Sequence, residues 1–339
     1  MEQQLAEDAK FIVKENVLAI LSQSGFSTVS SAIFNGGAKR VKAVLNVGVP
    51  SGYSDRNLHL DPLELITTSA AKLGLTQDYL AMVTAANVHN YSLQTKKSDT
   101  FTVWVAATAG CQHGESSGEE MDVQEITGTI NIIVLIDGNP TESCMVAALI
   151  TATEAKTAAL RDLDVRSRYT GDSATGSITD SVTVASTGRG KTLSLAGPAS
   201  KLGKAIGFCA RRAVGEALLK QEPFWASRTV LDRLRERHLP VEKLAAEVSK
   251  VEGVAVDANG LTEILKNNPS FGVFLLAAAK MDDDYKKNLL PTDYKDWETA
   301  GKGIVEKEYA SLPNYSAVDL PPFIKTALIN IVKTAHNRT

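Results

Sequence analysis

The sequence predicts an α+β fold: a mixed or antiparallel sheet packed with helices, followed by a mainly helical C-terminal module. Three observations carry this. The first half is rich in short β-branched and apolar runs parted by Asn-Gly, Gly and Pro turn signals, with no regular strand–helix alternation. Between Gly128 and Ser186 an apolar run, a helical segment, a small-residue loop and a second strand follow one another without a break. Beyond Pro223 the texture changes to apolar residues at helical spacing between Pro, Gly and Asn breakers. At 339 residues the chain has room for two domains, expected at 1–222 and 223–339.

Taken in order, residues 5–21 read as a short amphipathic helix. Phe26 to Phe34 reads as a strand ending in the turn Asn35-Gly36-Gly37, residue types that adopt positive φ at little cost. Val41 to Val49 is a second strand, closed by Pro50-Ser51-Gly52. Asp61 to Leu73 has helical spacing, with Gly74 placed to end it. Leu80–Val88 and Thr100–Ala107 read as strands, and Cys111 to Asp122 as a polar, acidic loop. The run Thr129-Ile-Asn-Ile-Ile-Val-Leu-Ile136 is a strand apolar on both faces, interrupted by Asn131. Met145–Leu160 is a helix, Gly171–Asp180 a loop and Val182–Ala185 a strand. Ser186–Thr192 reads as a hairpin or wide turn leading to a strand at Leu193–Ala196. Gly197-Pro198 then opens a helix running to about Lys220, whose Gly203 and Gly207 leave one side without bulk. Leu231–Arg237, Val241–Val251, Leu261–Asn267, Phe271–Lys280 and Phe323–Lys333 have helical spacing.

Composition narrows the function. With 44% hydrophobic and 22% charged residues and a formal net charge of −3, the chain lacks the concentrated basic face of an electrostatic nucleic-acid binder. The three cysteines form no C-x-x-C pair, and the five histidines show no metal-ligand spacing, so neither a metal site nor a disulfide framework is expected. The acidic amino terminus has no signal-peptide blocks, and no apolar run reaches bilayer length. A cytoplasmic protein without membrane insertion is expected, and a homo-oligomer is compatible with this reading.

Two familiar motifs fail on context. Ala185-x-x-x-x-Gly190-Lys191-Thr192 fits a loose phosphate-loop pattern, but Gly197-Pro198 intervenes where a helix must open. Gly114-x-Ser116-x-Gly118 matches a nucleophile elbow without the required strand–turn–helix setting. The helix at 145–160 is more informative. At about 100° per residue, Glu154 shares a side with Thr151, Ala158 and Arg161, and Lys156 lands on the opposite, apolar stripe with Met145, Ala152 and Leu160. An ammonium there must snorkel, pair with a carboxylate or lose its proton, and Asp180 is the natural partner. His89, which follows the strand containing Thr84, is the histidine of most interest.

These stretches resemble the adenosylcobinamide amidohydrolase family. The likeness rests on Gly128-Thr-Ile-Asn-Ile-Ile-Val-Leu135, Ile150-Thr-Ala-Thr-Glu-Ala-Lys-Thr-Ala-Ala-Leu160, Thr175-Gly176 with Thr179-Asp180, and Ala196-Gly197-Pro198 with Leu202-Gly203. Upstream, Ser31 to Gly37 and Thr84-Ala85-Ala86 are similar to the same family's amino-terminal motifs. The likeness covers roughly residues 20–222; Ser177-Ile178 departs from the family's usual Thr-Gly pair. The resemblance implies an enzyme that hydrolyses a linear amide C–N bond of adenosylcobinamide, giving adenosylcobyric acid and 1-amino-2-propanol in corrinoid salvage and remodelling. The alternative is a non-hydrolytic corrinoid-binding protein, although the carrier pattern D-x-H-x-x-G is absent. No cofactor is expected beyond the cobalt within the corrinoid substrate. Candidate catalytic residues are Glu154, Lys156 and Asp180. Candidate substrate contacts are Asn35, Gly36, Gly37, Thr84, His89, Asn131, Thr151, Thr175, Gly176 and Thr179, because a corrinoid presents apolar faces edged with amides that call for many donors.

Overall fold

The computed structural model describes residues 1–50, 62–112, 114–120, 128–290 and 317–336. Ser51, Gly52, Asp61 and Asp122, named above, lie outside the described residues, as do two of the five histidines, His59 and His113, and the side chain of a third, His336. The chain divides into two compact units, Met1–Tyr169 with Ser173–Ala226, and Thr170–Asp172 with Ser227–Thr339. The change in sequence texture at Pro223 lies next to this division.

The first unit is a curled, mixed sheet packed with helices. Among the described residues its main sheet has nine strands: β1 (Glu2–Ala6), β2 (Ala9–Lys14), β3 (Val17–Ser30), β4 (Gly37–Gly48), β5 (Tyr79–Thr84), β6 (Ser92–Lys97), β7 (Thr102–Gly110), β8 (Thr129–Asp137) and β10 (Ser181–Ser186). The amphipathic helix expected over 5–21 is instead β1, β2 and the start of β3. Phe11 and Val13 enter one core cluster and Ile12 between them another, the two-residue alternation of a strand, and Glu15, at φ 50°, makes the turn that pairs Lys14 with Val17. β3 is then bent between Leu21 and Phe26, where Asp8 accepts from the amides of Gln23 (2.9 Å) and Ser24 (2.8 Å).

The bend lets β3, β4 and β5 curl over β7, β8 and β10. Leu18, Ile20, Val44, Leu80 and Met82 from one layer meet Ala106, Ile133, Leu135 and Ala185 from the other. The amide of Phe34 and the carbonyl of Ala81, 3.1 Å apart, tie the end of this curl to β5. Helix α1 (Pro62–Lys72) covers the outer face of β3–β5 through Leu65, Ile66 and Ala70. Helices α2 (Glu142–Asp162) and α3 (Lys201–Gln221) cover the outer face of β7, β8 and β10. β8 is thus buried on both faces, which is why its sequence is a continuous apolar run; each isoleucine buried there contributes about 1.5–3 kcal/mol.

Three expectations differ in detail. The strand expected to Val88 ends at Thr84, whose hydroxyl accepts the Ala86 amide at 3.0 Å and turns the chain into a 3-10 turn at Val88–Asn90. The segment after β10 does not form a hairpin with it. Arg189 is drawn to Asp137 (3.1 Å), and the short β11 (Thr192–Leu193) pairs in parallel with β9 (Asn139–Pro140). Helix α3 opens at Lys201 rather than at Pro198, because Ser200 caps it by accepting the Gly203 amide at 2.9 Å. Gly203 is required there: a Cβ would run into the carbonyl oxygens of Ala196 and Gly197.

A short helix, α4 (Phe224–Ser227), follows α3. The second unit is helical: α5 (Val230–Arg235), α6 (Val241–Val248), α7 (Ala258–Asn267), α8 (Pro269–Lys286) and α9 (Pro322–His336). Leu244, Leu261, Phe271, Phe274, Ile324 and Leu328 form its core. Thr229 and Asp232 make a reciprocal capping box on α5. Asp282 from α8 accepts the Phe323 and Ile324 amides at 2.9 and 2.8 Å, capping α9 from outside. No described helix is long and apolar enough to cross a membrane.

Candidate active site

β8 and β10 run parallel, with Asn131 beside Ser181, so their amino-terminal ends lie together. The loop 171–180 leads directly into β10 at this end. α2, capped by the Thr141 hydroxyl on the Cys144 amide (3.2 Å), lays its apolar side on β8. Lys156 sits on that side and is only 7% exposed, so its ammonium is largely removed from bulk water. It donates to Asp180 Oδ2 in a short ion pair.

Asp180 is held on all sides. Oδ1 accepts from the Ile130 amide (3.0 Å) and the Ser177 hydroxyl (2.5 Å), and Oδ2 from the Ser177 amide (3.0 Å) and Lys156. Four donors to one carboxylate hold it in place, and the carboxylate in turn orients the lysine. Gly176 passes so close to the pair that a Cβ would lie 2.7 Å from Lys156 Nζ. The small-residue composition of the loop therefore follows from the pair beneath it. The Thr179 hydroxyl meets that of Thr129 at 2.7 Å, and Thr175 accepts from the Ser117 amide at 2.9 Å while its carbonyl takes the Thr157 hydroxyl at 3.1 Å.

Three groups beside the pair were not anticipated. Cys111 is buried, and its Sγ reaches the Gly176 carbonyl at 3.7 Å. Burial first, then the negative charges of Asp180 and Glu222, push its thiol well above the ordinary range, so it is not a nucleophile at neutral pH. Glu222 accepts the Cys111 amide at 3.0 Å and the Trp225 indole N–H at 2.7 Å. Burial raises its carboxyl, with these donors opposing the rise. Glu115 faces Arg168 at 3.1 Å and is raised by burial. Only Glu222 left a usable trace in the sequence, as the charged residue closing a helix just before a proline.

On the inner face of β8, Asn131 donates to Asn46 Oδ1 (2.8 Å) and to the Val83 carbonyl (2.9 Å), and Asn46 donates to Thr108 (2.8 Å). Asn46 interrupts the apolar run 41–49 as Asn131 interrupts its own, a signal that had the same strength. Asn131 Oδ1 is buried with no hydrogen-bond partner among the described residues. Thus Lys156, Asp180, Thr175, Gly176 and Thr179 come together, whereas Asn131 lies on the opposite face of β8 from α2, and Thr84 follows the Val83 carbonyl that Asn131 binds.

The other candidates stand apart. Glu154 is exposed and lines a groove of about 610 Å³ between α2 and α3 with Thr151, Lys204, Phe208 and Arg211. Thr151 itself donates to the Ala196 carbonyl at 2.8 Å, fastening α2 to the segment before α3. Asn35, at φ 54°, braces its turn through the Tyr79 carbonyl (2.9 Å). A Cβ on Gly36 would strike the Ala32 carbonyl, and Gly37 has φ 84°. His89 Nε2 contacts the Glu15 carbonyl at 2.7 Å. None of these six residues has a hydrogen bond to the Lys156–Asp180 pair among the described residues.

A largely buried lysine–carboxylate pair under a hydroxyl-rich loop, at the ends of two parallel strands, is an arrangement suited to polarising a carbonyl. Comparison with known proteins gives it a family. The chain belongs to the adenosylcobinamide amidohydrolase family, whose model matches residues 2–224. An adenosylcobinamide amidohydrolase of Methanosarcina mazei is 31% identical over 216 residues, covering 62% of this chain and 94% of that protein. An uncharacterized protein of Methanocaldococcus jannaschii is 32% identical over 207 residues, covering 55% of this chain and 80% of its own. A crystal structure of a Pyrococcus horikoshii protein aligns with 63% of this chain and 83% of its own at 12% identity and a TM-score of 0.35.

Proposed function

We propose that this protein hydrolyses the amide joining aminopropanol to the corrin ring of adenosylcobinamide. The products are adenosylcobyric acid and 1-amino-2-propanol, and the acid re-enters cobamide assembly. The observation that carries the proposal is the Lys156–Asp180 pair beneath the 175–180 loop, in a chain whose family model covers residues 2–224.

Amide hydrolysis needs a charge stabiliser for the developing oxyanion, a base for water and a proton for the leaving amine. Lys156 meets the first need. Its ammonium has three donors, and the bond to Asp180 occupies one. A low-dielectric surrounding strengthens its pull on an oxyanion without the cost of reorganising solvent. Asp180 accepts four hydrogen bonds and has little capacity left to take a proton from water, so its role is to orient Lys156 and to shape the loop. The hydroxyls of Thr175 and Thr179 supply donors for the peripheral amides of a corrinoid.

The test is to incubate the pure protein with adenosylcobinamide and measure aminopropanol by mass spectrometry. Release by the wild type, lost in Lys156→Ala and Asp180→Ala with corrinoid binding retained, is the expected result. Near-normal turnover in both variants would sink the assignment. Binding without release by the wild type would make the protein a corrinoid binder rather than an enzyme.

A further inference from the structure

Four charged groups surround the Cys111 thiol closely enough to act on it: Asp180, Glu222, Lys156 and Glu115. Three are carboxylates, and they differ in what holds them. Asp180 receives four donors, one from the Lys156 ammonium. Glu115 faces the Arg168 guanidinium at 3.1 Å. Glu222 receives N–H groups alone: Trp225 Nε1 at 2.7 Å, the Cys111 amide at 3.0 and 3.2 Å to its two oxygens, and the Gln112 amide. Among the described residues no cation pairs with it. It is partly exposed, at the carboxyl end of α3, while Trp225 behind it is buried.

We propose that Glu222, set across Cys111 from the Lys156–Asp180 pair, is the general base of the hydrolysis. The assignment rests on the reaction proposed above. In the first step an O–H bond of water breaks. Its proton passes to the Glu222 carboxylate while the water oxygen bonds to the amide carbon, and the carbonyl electron pair moves onto the oxygen facing Lys156. In the second step that pair returns, the C–N bond breaks, and the proton held by Glu222 passes to the leaving nitrogen. One amide and one water become one acid and one amine, and the carboxylate is regenerated.

A carboxylate anchored only by neutral donors keeps its orientation without a fixed cation to hold it ionised, so it is able both to take and to return a proton. Burial, which raises this group, moves it towards the range where that exchange is efficient.

The experiment measures aminopropanol release from adenosylcobinamide against pH for the full-length wild type, Glu222→Gln and Trp225→Phe. Glu222→Gln should lower kcat about 10²–10⁴-fold while KM changes by less than about threefold. Trp225→Phe removes a donor to the ionised form, so the acid limb of kcat/KM should move to higher pH with turnover preserved at alkaline pH. Retention of kcat within about tenfold in Glu222→Gln overturns the role. An unmoved acid limb in Trp225→Phe overturns it too, and this result decides if the glutamine variant does not fold. Release by neither wild type nor variant refutes the reaction itself; release by both at rates within about tenfold of each other refutes Glu222 alone.

Discussion

Two largely buried aspartates, Asp180 in the first unit and Asp282 in the second, both accept backbone amides, yet only one has a cation against it. Asp180 takes the Ile130 and Ser177 amides together with Lys156. Asp282 takes the Phe323 and Ile324 amides at the start of α9, and among the described residues no cation joins it. Amide donors alone leave a buried carboxyl with an unfavourable charge: desolvation pushes Asp282 up to about 6 despite its two donors. A helix cap tolerates that. The first unit instead brings a lysine across the hydrophobic face of α2, which no cap needs. The difference fits the catalytic role proposed for the Lys156–Asp180 pair and the helix-capping role of Asp282.

The sharpest way to break this comparison is to turn Asp180 into a second Asp282. Lys156→Ala removes the cation and leaves a carboxylate with two amides and the Ser177 hydroxyl, all neutral donors, so a loss of about 3–5 kcal/mol in stability is expected. Aminopropanol release should fall about 10²–10³-fold if Lys156 stabilises the oxyanion. Adding Asp180→Asn to Lys156→Met removes the stranded charge, and chemical denaturation should then recover most of the lost stability. Turnover should not recover. Recovery of both would show that the pair is architectural after all.

The next test acts on Asp282. Its folded-state carboxyl is raised to about 6 from an ordinary value of 3.8, so folding favours the protonated form. The associated stability is present in full below about pH 4 and is lost as pH rises through about 6, on the order of 3 kcal/mol across that window. Urea denaturation of wild type and Asp282→Asn at pH 4.5 and 7 measures it. The difference between the two should change in favour of the variant as pH rises, and a pH-independent difference would remove the contrast with Asp180.

Much of this contrast was legible beforehand, for identifiable reasons. The apolar stripe of α2 is a local, periodic property, so Lys156 could be placed on it and Asp180 named as its partner. The two-sided burial of β8 follows from its unbroken apolar run. The amino terminus admits both readings because Leu5, Ala9, Ile12 and Ala19 also fit a helical spacing; the deciding event is a turn at Glu15 together with Asp8 reaching forward to Gln23 and Ser24. Cys111 and Glu222 were missed because their meeting depends on how α3 ends against β7, a contact between residues far apart in the chain.

Gly176 sharpens the comparison on a finer scale. It lies where a side chain would press on the Lys156 ammonium, so Gly176→Ala should separate the pair slightly rather than abolish it. Overpacking of this kind costs about 1–3 kcal/mol, and turnover should fall more than corrinoid binding because the displaced group acts on the reacting carbonyl. A variant with wild-type kcat would mean that the ammonium's position does not matter to the reaction.

The smallest effect is expected on the other side of the same helix. Glu154 is two residues from Lys156 but projects into the α2–α3 groove, exposed to solvent and away from the pair. Glu154→Gln should leave stability within about 0.5 kcal/mol, as for surface substitutions in general, and should leave turnover within about twofold. The measurement is decisive because Glu154 is itself among the catalytic candidates that the sequence offers. A collapse of kcat in Glu154→Gln, with Lys156→Ala little affected, would move the active centre to the groove and make the buried pair the architectural one.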